Sequence, residues 1–159
     1  MIQRERLFAT LEGEFVVFLI GMRINSLWKV HKWWPVARAM PRMIKELEAH
    51  PELGMLGGEI WGGRTTILVQ YWRSAEQLFA YARSRDTEHL PAWRAFNRGV
   101  GASGDVGVWH ETYVVGPGRY ENIYVNMPPF ALGKIGALSE ATGGMQSGEA
   151  RPRAGKTRA

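Results

Sequence analysis

Cysteine is absent from all 159 residues. That excludes disulfides, thiolate chemistry, zinc ribbons and iron–sulfur clusters, and it fits a reducing cytoplasm. Long apolar runs are absent too. The longest, F-V-V-F-L-I-G-M at Phe15–Met22, is less than half of the roughly 20 residues needed to cross a bilayer. Charged Arg4, Glu5, Arg6, Glu12 and Glu14 precede it and no small-residue cleavage site follows, so it does not read as a secretory leader. No membrane partner is expected, and the expected compartment is the cytoplasm.

Acidic residues are missing from R-P-R-A-G-K-T-R-A at the C-terminal end, which holds four of the 20 Lys and Arg. Without it, 16 basic residues face 15 acidic ones, so the net charge of +5 falls to +1. The basic character belongs to a tail, and the body has no cationic face interleaved with aromatics. Nucleic acid is therefore not an expected partner. Residues 143–159 are expected to form a disordered basic tail and residues 1–142 a single domain.

Several catalytic signatures are also missing. Five glycines crowd Leu53–Arg64, but no G-x-G-x-x-G or G-x-x-x-x-G-K-[ST] leads into a helix. There is no H-x-x-x-H or H-E-x-x-H spacing for a metal and no G-x-S-x-G nucleophile turn.

What is present is alternating strand and helix. Phe15–Ile24 is rich in β-branched and aromatic residues and reads as a buried strand. Residues 1–13 read as a polar arm. A helix is expected from about Pro41 to His50, with residues 35–40 as a first turn joined at a kink. The glycine-rich stretch reads as a bulged strand, and Gly62–Gly63 as a tight turn into a strand over Thr65–Trp72. Ser74 with Gln77 forms a capping box for a second helix. Asp86 or Thr87 is placed to cap a further piece that carries Leu90, Trp93 and Phe96. Val106–Val115 is the fourth strand, and a short further strand lies within Tyr120–Asn126. The apolar segment Met127–Ala141 is expected to pack on the body or on a partner.

The order predicts an α+β fold of ferredoxin-like βαββαβ type: an antiparallel four-stranded sheet with both helices on one face. The other face is too apolar to be left wet. Either a second copy packs on it, giving a homodimer, or it curls around a ligand.

Alternation then sorts the candidate site residues. Val106, Val108, His110, Thr112 and Val114 share one face of their strand, and Trp109, Glu111 and Tyr113 share the other. His110 is the leading candidate for a general base or orienting group, because a neutral imidazole suits proton transfer near pH 7. His89 at a helix start is the second. Either histidine is equally a candidate haem ligand, or a hydrogen-bonded part of the framework. Trp28, Tyr71, Trp93, Trp109 and Tyr113 are candidate pocket walls, with Arg23 and Asn25 as polar anchors. His31, in an expected loop, carries little signal.

The chain resembles the antibiotic-biosynthesis-monooxygenase-like group of the dimeric α+β barrel superfamily, in particular a monooxygenase-like family related to a fungal enzyme of fumagillin biosynthesis. The residues that carry the likeness are W-P-V-A-R-A-M-P-R-M-I-K-E-L at 34–47, V-Q-Y-W-R-S at 69–74, H-L-P-A-W-R-A-F at 89–96, V-G-V-W-H-E-T-Y-V-V at 106–115 and Y-E-N-I-Y-V-N-M-P at 120–128. The resemblance implies a homodimer with a hydrophobic pocket between sheet and helices. It also implies oxygen chemistry without flavin, haem or metal, in which the substrate is deprotonated to a carbanion. The superfamily has haem-binding branches as well. Three functions therefore stand: a cofactor-independent monooxygenase for a small hydrophobic metabolite, a haem protein with His110 or His89 as axial ligand, and a non-enzymatic dimeric binding module.

Overall fold

The computed structural model describes residues 1–84, 87 and 89–151. Its elements run β1 (Gln3–Thr10), β2 (Phe15–Ile24), α1 (Val30–Ala49), β3 (Met55–Trp61), β4 (Thr65–Trp72), α2 (Ala75–Arg83), α3 (His89–Gly99), β5 (Val106–Val115), β6 (Tyr124–Met127), α4 (Leu132–Ile135) and β7 (Ala137–Glu140).

The apolar run of β2 lies inside an antiparallel sheet of order β3-β4-β2-β5. β2 pairs with β4 from Val16↔Trp72 to Arg23↔Thr65 and with β5 from Phe15↔Val115 to Ile24↔Val106. This strand order and the crossover helices make the fold ferredoxin-like. Strand parity follows from register. Val16, Met22 and Ile24 of β2 enter cores that also hold Leu68 and Trp72 of β4, Val106 of β5, and Met40 and Leu47 of α1. The even-numbered face of β2, β4 and β5 is therefore the helix face. One buried polar pair sits there: the Trp72 indole donates to Gln70 Oε1 at 2.9 Å.

α1 starts at Val30, eleven residues before the start expected from Pro41, and contains both Pro35 and Pro41. Each proline removes a helical N–H. The missing rungs are offset by packing: Trp33, Val36, Ala37, Met43 and Ile44 all press onto the core around Met40. Ser74 caps α2 as its sequence suggests, accepting from the Gln77 N–H at 3.2 Å. The Thr87 hydroxyl donates back to the carbonyls of Tyr81 and Ser84 at the end of α2. Asp86, the alternative cap, lies outside the described residues.

The expected polar arm is instead a strand. β1 pairs antiparallel with both β6 and β7 in a second, three-stranded sheet. Together with α4 this layer covers part of the face away from the helices. Phe15, Val17, Tyr71 and Val115 pack there against Ala9, Leu132, Ile135 and Leu138. That part of the apolar face is covered by the chain's own C-terminal segment. Of the expected disordered tail, Gly143–Gln146 forms a short 3-10 turn, and Arg151 pairs with Glu121 and donates to the carbonyls of Met145 and Gln146. Residues 152–159 lie outside the described residues. No helix among the described residues is long and apolar enough to cross a membrane.

Candidate active site

Between the helices and the helix face of the sheet lies a cavity of about 1080 Å³. That is at the upper end for small-molecule sites. The floor is sheet: Phe18, Ile20 and Met22 from β2, with Val108, His110 and Thr112 from β5. Register puts His110 opposite Ile20 and Thr112 opposite Phe18, so these residues form one continuous surface. α1 supplies one wall through Trp34, Val36, Ala39 and Met43. α3 supplies the other through Leu90, Trp93 and Phe96. Because β5 ends the sheet, Val108 and His110 remain exposed along the open side.

His110 and His89 both line this cavity although one comes from a strand and the other from a helix start. The His110 ring lies 5.8 Å from the Phe18 ring. His89 is fixed more tightly. Its Nδ1 is 3.0 Å from the carbonyl oxygen of Ala82, and a carbonyl can only accept. Nδ1 therefore carries the proton, and in the neutral ring Nε2 keeps a free lone pair. Burial pushes the His89 pKa below its ordinary 6.5, against the opposing effect of the Ala82 bond, and repulsion from His110 adds to the lowering. A neutral His89 with an unprotonated Nε2 is what a general base needs near pH 7.

Trp93 lines the cavity and stacks on Phe96, with ring centroids 5.6 Å apart. The remaining sequence candidates fall elsewhere. Tyr71 lies on the opposite face, packed near Phe15. Tyr113 is on that face too, where its hydroxyl donates to Glu111. Trp109 borders the cavity through its strand, but its indole lies across Gly21 on the far side. Arg23 donates to Thr65 Oγ1 and Asn25 to the Gly104 carbonyl, both outside the cavity. Trp28 is 96% exposed and does not line it.

His31 does line the cavity, from the first turn of α1. The signal for it was helical spacing: His31, Pro35, Arg38 and Arg42 fall on one stripe once α1 begins at Val30. Among the described residues, no group of three or more His, Asp or Glu could hold a metal.

A family model described as Monooxygenase af470-like matches residues 15–132. The chain belongs to the monooxygenase af470-like family. Monooxygenase af470 of Aspergillus fumigatus (strain ATCC MYA-4609 / CBS 101355 / FGSC A1100 / Af293) is 28% identical over 132 residues, covering 77% of this chain and 46% of that protein. This family member thus spans less than half the length of that curated relative. Among solved structures, an aldoxime dehydratase superposes with a TM-score of 0.68 at 15% identity, over 85% of this chain and 42% of the other. That likeness concerns the fold. SnoaB, a cofactor-independent oxygenase from Streptomyces nogalater, superposes at a TM-score of 0.45 with 10% identity, over 63% of this chain and 91% of its own.

Proposed function

We propose that this chain is a monooxygenase that oxidises a hydrophobic small molecule with dioxygen and no bound cofactor, acting in the cytoplasm. The observation that carries this reading is His89, buried with its Nδ1 donating to the Ala82 carbonyl and its pKa lowered by that burial, which lines one large, mostly apolar cavity together with His110. The substrate is a carbon acid whose methylene group lies next to an activating carbonyl or aromatic ring. His89 takes a proton from that carbon, which the apolar side chains of Ile20 and Phe96 position in the cavity. The carbanion passes one electron to dioxygen, and the two radicals recombine as a peroxide. Loss of water then leaves a carbonyl, so one methylene and one dioxygen give one ketone carbonyl and one water. His110 orients the activating oxygen of the substrate.

Oxygen uptake with a hydroxylated anthrone as the carbon acid tests the reading. His89→Asn is expected to lower kcat by about 10²–10⁴, the usual contribution of a positioned base. Turnover unchanged in both His89→Asn and His110→Ala removes the assignment. Haem is the competing cofactor. Added haemin that gives a Soret band altered in either variant replaces the cofactor-free reading.

The uncovered part of the sheet's second face carries Leu19, Ile67, Val69 and Tyr113, the last 50% exposed. We infer a homodimer through this surface. Light scattering that returns a mass near 17.9 kDa at micromolar concentration excludes it.

A further inference from the structure

The charge around the cavity is one-sided. Lys32, Arg38, Arg42 and Arg98 line it, and among the described residues no carboxylate does. Two of these cations have a structural explanation. The Lys32 ammonium donates to the Gly99 carbonyl at 2.6 Å, tying the start of α1 to the end of α3. Arg98 sits in the last turn of α3, where positive charge suits the helix dipole.

Arg38 and Arg42 have neither role. They lie in the middle of α1, four residues apart, so their side chains are neighbours on one face. Like charges at that spacing weaken a helix. Neither forms an ion pair among the described residues. Glu46, one turn beyond Arg42, is turned to the Tyr81 hydroxyl, which donates to it at 2.8 Å. Two guanidinium groups thus stand one helical turn apart on the part of α1 that lines the cavity.

We propose that Arg38 and Arg42 bind the carboxylate of the ligand, whose apolar body lies against Phe18, Ile20, Trp93 and Phe96. The substrate class is then a hydrophobic carboxylic acid. This inference rests on the cavity being the substrate site proposed above, and not on the oxygen chemistry. The planar forks of arginine match a carboxylate in two-pronged geometry. Both arginines are exposed, so the head group sits at the mouth, partly in water, while the chain enters the cavity.

Calorimetric titration of the full chain with dodecanoate, dodecanamide and dodecyl phosphate tests this. Dodecanoate is expected to bind about tenfold tighter than the amide, equivalent to about 1.4 kcal/mol. In Arg38→Gln/Arg42→Gln the preference falls to about unity while the amide affinity is unchanged. Arg38→Lys/Arg42→Lys, which keeps the charge but loses the fork, retains part of it. Equal affinities for acid and amide in the wild type, a preference that survives in the Gln variant, or no binding of any of the three overturns the proposal. Phosphate binding tighter than carboxylate assigns the head to a phosphate ester and overturns it as well. Sedimentation of the protein with phosphatidylglycerol vesicles, lost in the Gln variant, assigns the arginines to a lipid surface with the same consequence. The binding readout involves no oxygen. A carboxylate preference without turnover leaves this inference and removes the oxygenase, and turnover with equal affinities does the reverse.

Discussion

Replacing His89 by asparagine should separate its two jobs. The imidazole closes the end of α2 by donating to Ala82, and in the function proposed above its Nε2 is the base. An asparagine amide nitrogen takes about the place of Nδ1, so it keeps the donor and loses the base. Alanine loses both. A net hydrogen bond of this kind contributes about 1 kcal/mol, and a domain of this size loses roughly 2–4 °C of Tm per kcal/mol. His89→Ala should therefore melt about 3 °C lower than wild type, and His89→Asn within about 1 °C of it, while both lose turnover. The pH dependence follows from the lowered pKa. Below pH 6.5 the unfolded chain protonates this histidine before the folded one does. Its contribution is complete above 6.5 and declines as the pH falls toward the folded value. The stability gap between wild type and His89→Ala should narrow on that descent. Urea unfolding at about pH 8 and about pH 5 measures it. An asparagine variant as unstable as the alanine one, or a gap that does not change with pH, refutes the tautomer and the burial argument together.

Other consequences concern the frame around the site. Gly21 lies where a Cβ would collide with the Thr66 carbonyl and sit 2.6 Å from Trp109 Nε1. Gly21→Ala should cost about 1–3 kcal/mol through overpacking, and an unchanged urea midpoint would contradict it. Gln70→Leu strands the buried Trp72 N–H and should cost about 1–3 kcal/mol, a loss that a Trp72→Phe background should reduce in a double-mutant cycle. Asp105 accepts from Lys29 and Ser26, chiefly from Lys29, which lowers its pKa from 3.8 to about 2. Its contribution is complete above 3.8 and disappears as the pH falls through about 2. Acid titration of Asp105→Asn should lack that step.

The central strands were legible because their reasons are local. Phe15–Ile24, Thr65–Trp72 and Val106–Val115 carry dense β-branched and aromatic runs, and each is bounded as its composition suggests. The cap at Ser74 needs only four residues to be read. β1 was not legible, because Q-R-E-R-L-F-A-T is rich in charge and its partners lie more than 110 residues away. The start of α1 was hidden by Pro35 and Pro41, whose local preference is overridden by the packing of Met40 and its neighbours. The site was half legible. Alternation grouped His110 with Val108 and Thr112, but which row met the helices depended on pairing with β2. Tyr71 and Tyr113 lie on the other face, which only that pairing reveals. His31 was hidden because its stripe exists only in the longer helix.

The two prolines of α1 also set the mechanical character of the cavity wall. Without their N–H groups, the carbonyls of His31 and Ala37 receive no rung from within the helix. Val36, Arg38, Ala39 and Met40, on the turn between the prolines, line the cavity. Where the rungs are missing, the wall is held by side-chain packing around Met40 rather than by its own ladder, while the sheet floor opposite is tied by backbone pairing on both sides of β2. A substitution that thins the packing around Met40 would therefore loosen the wall and leave the floor in place.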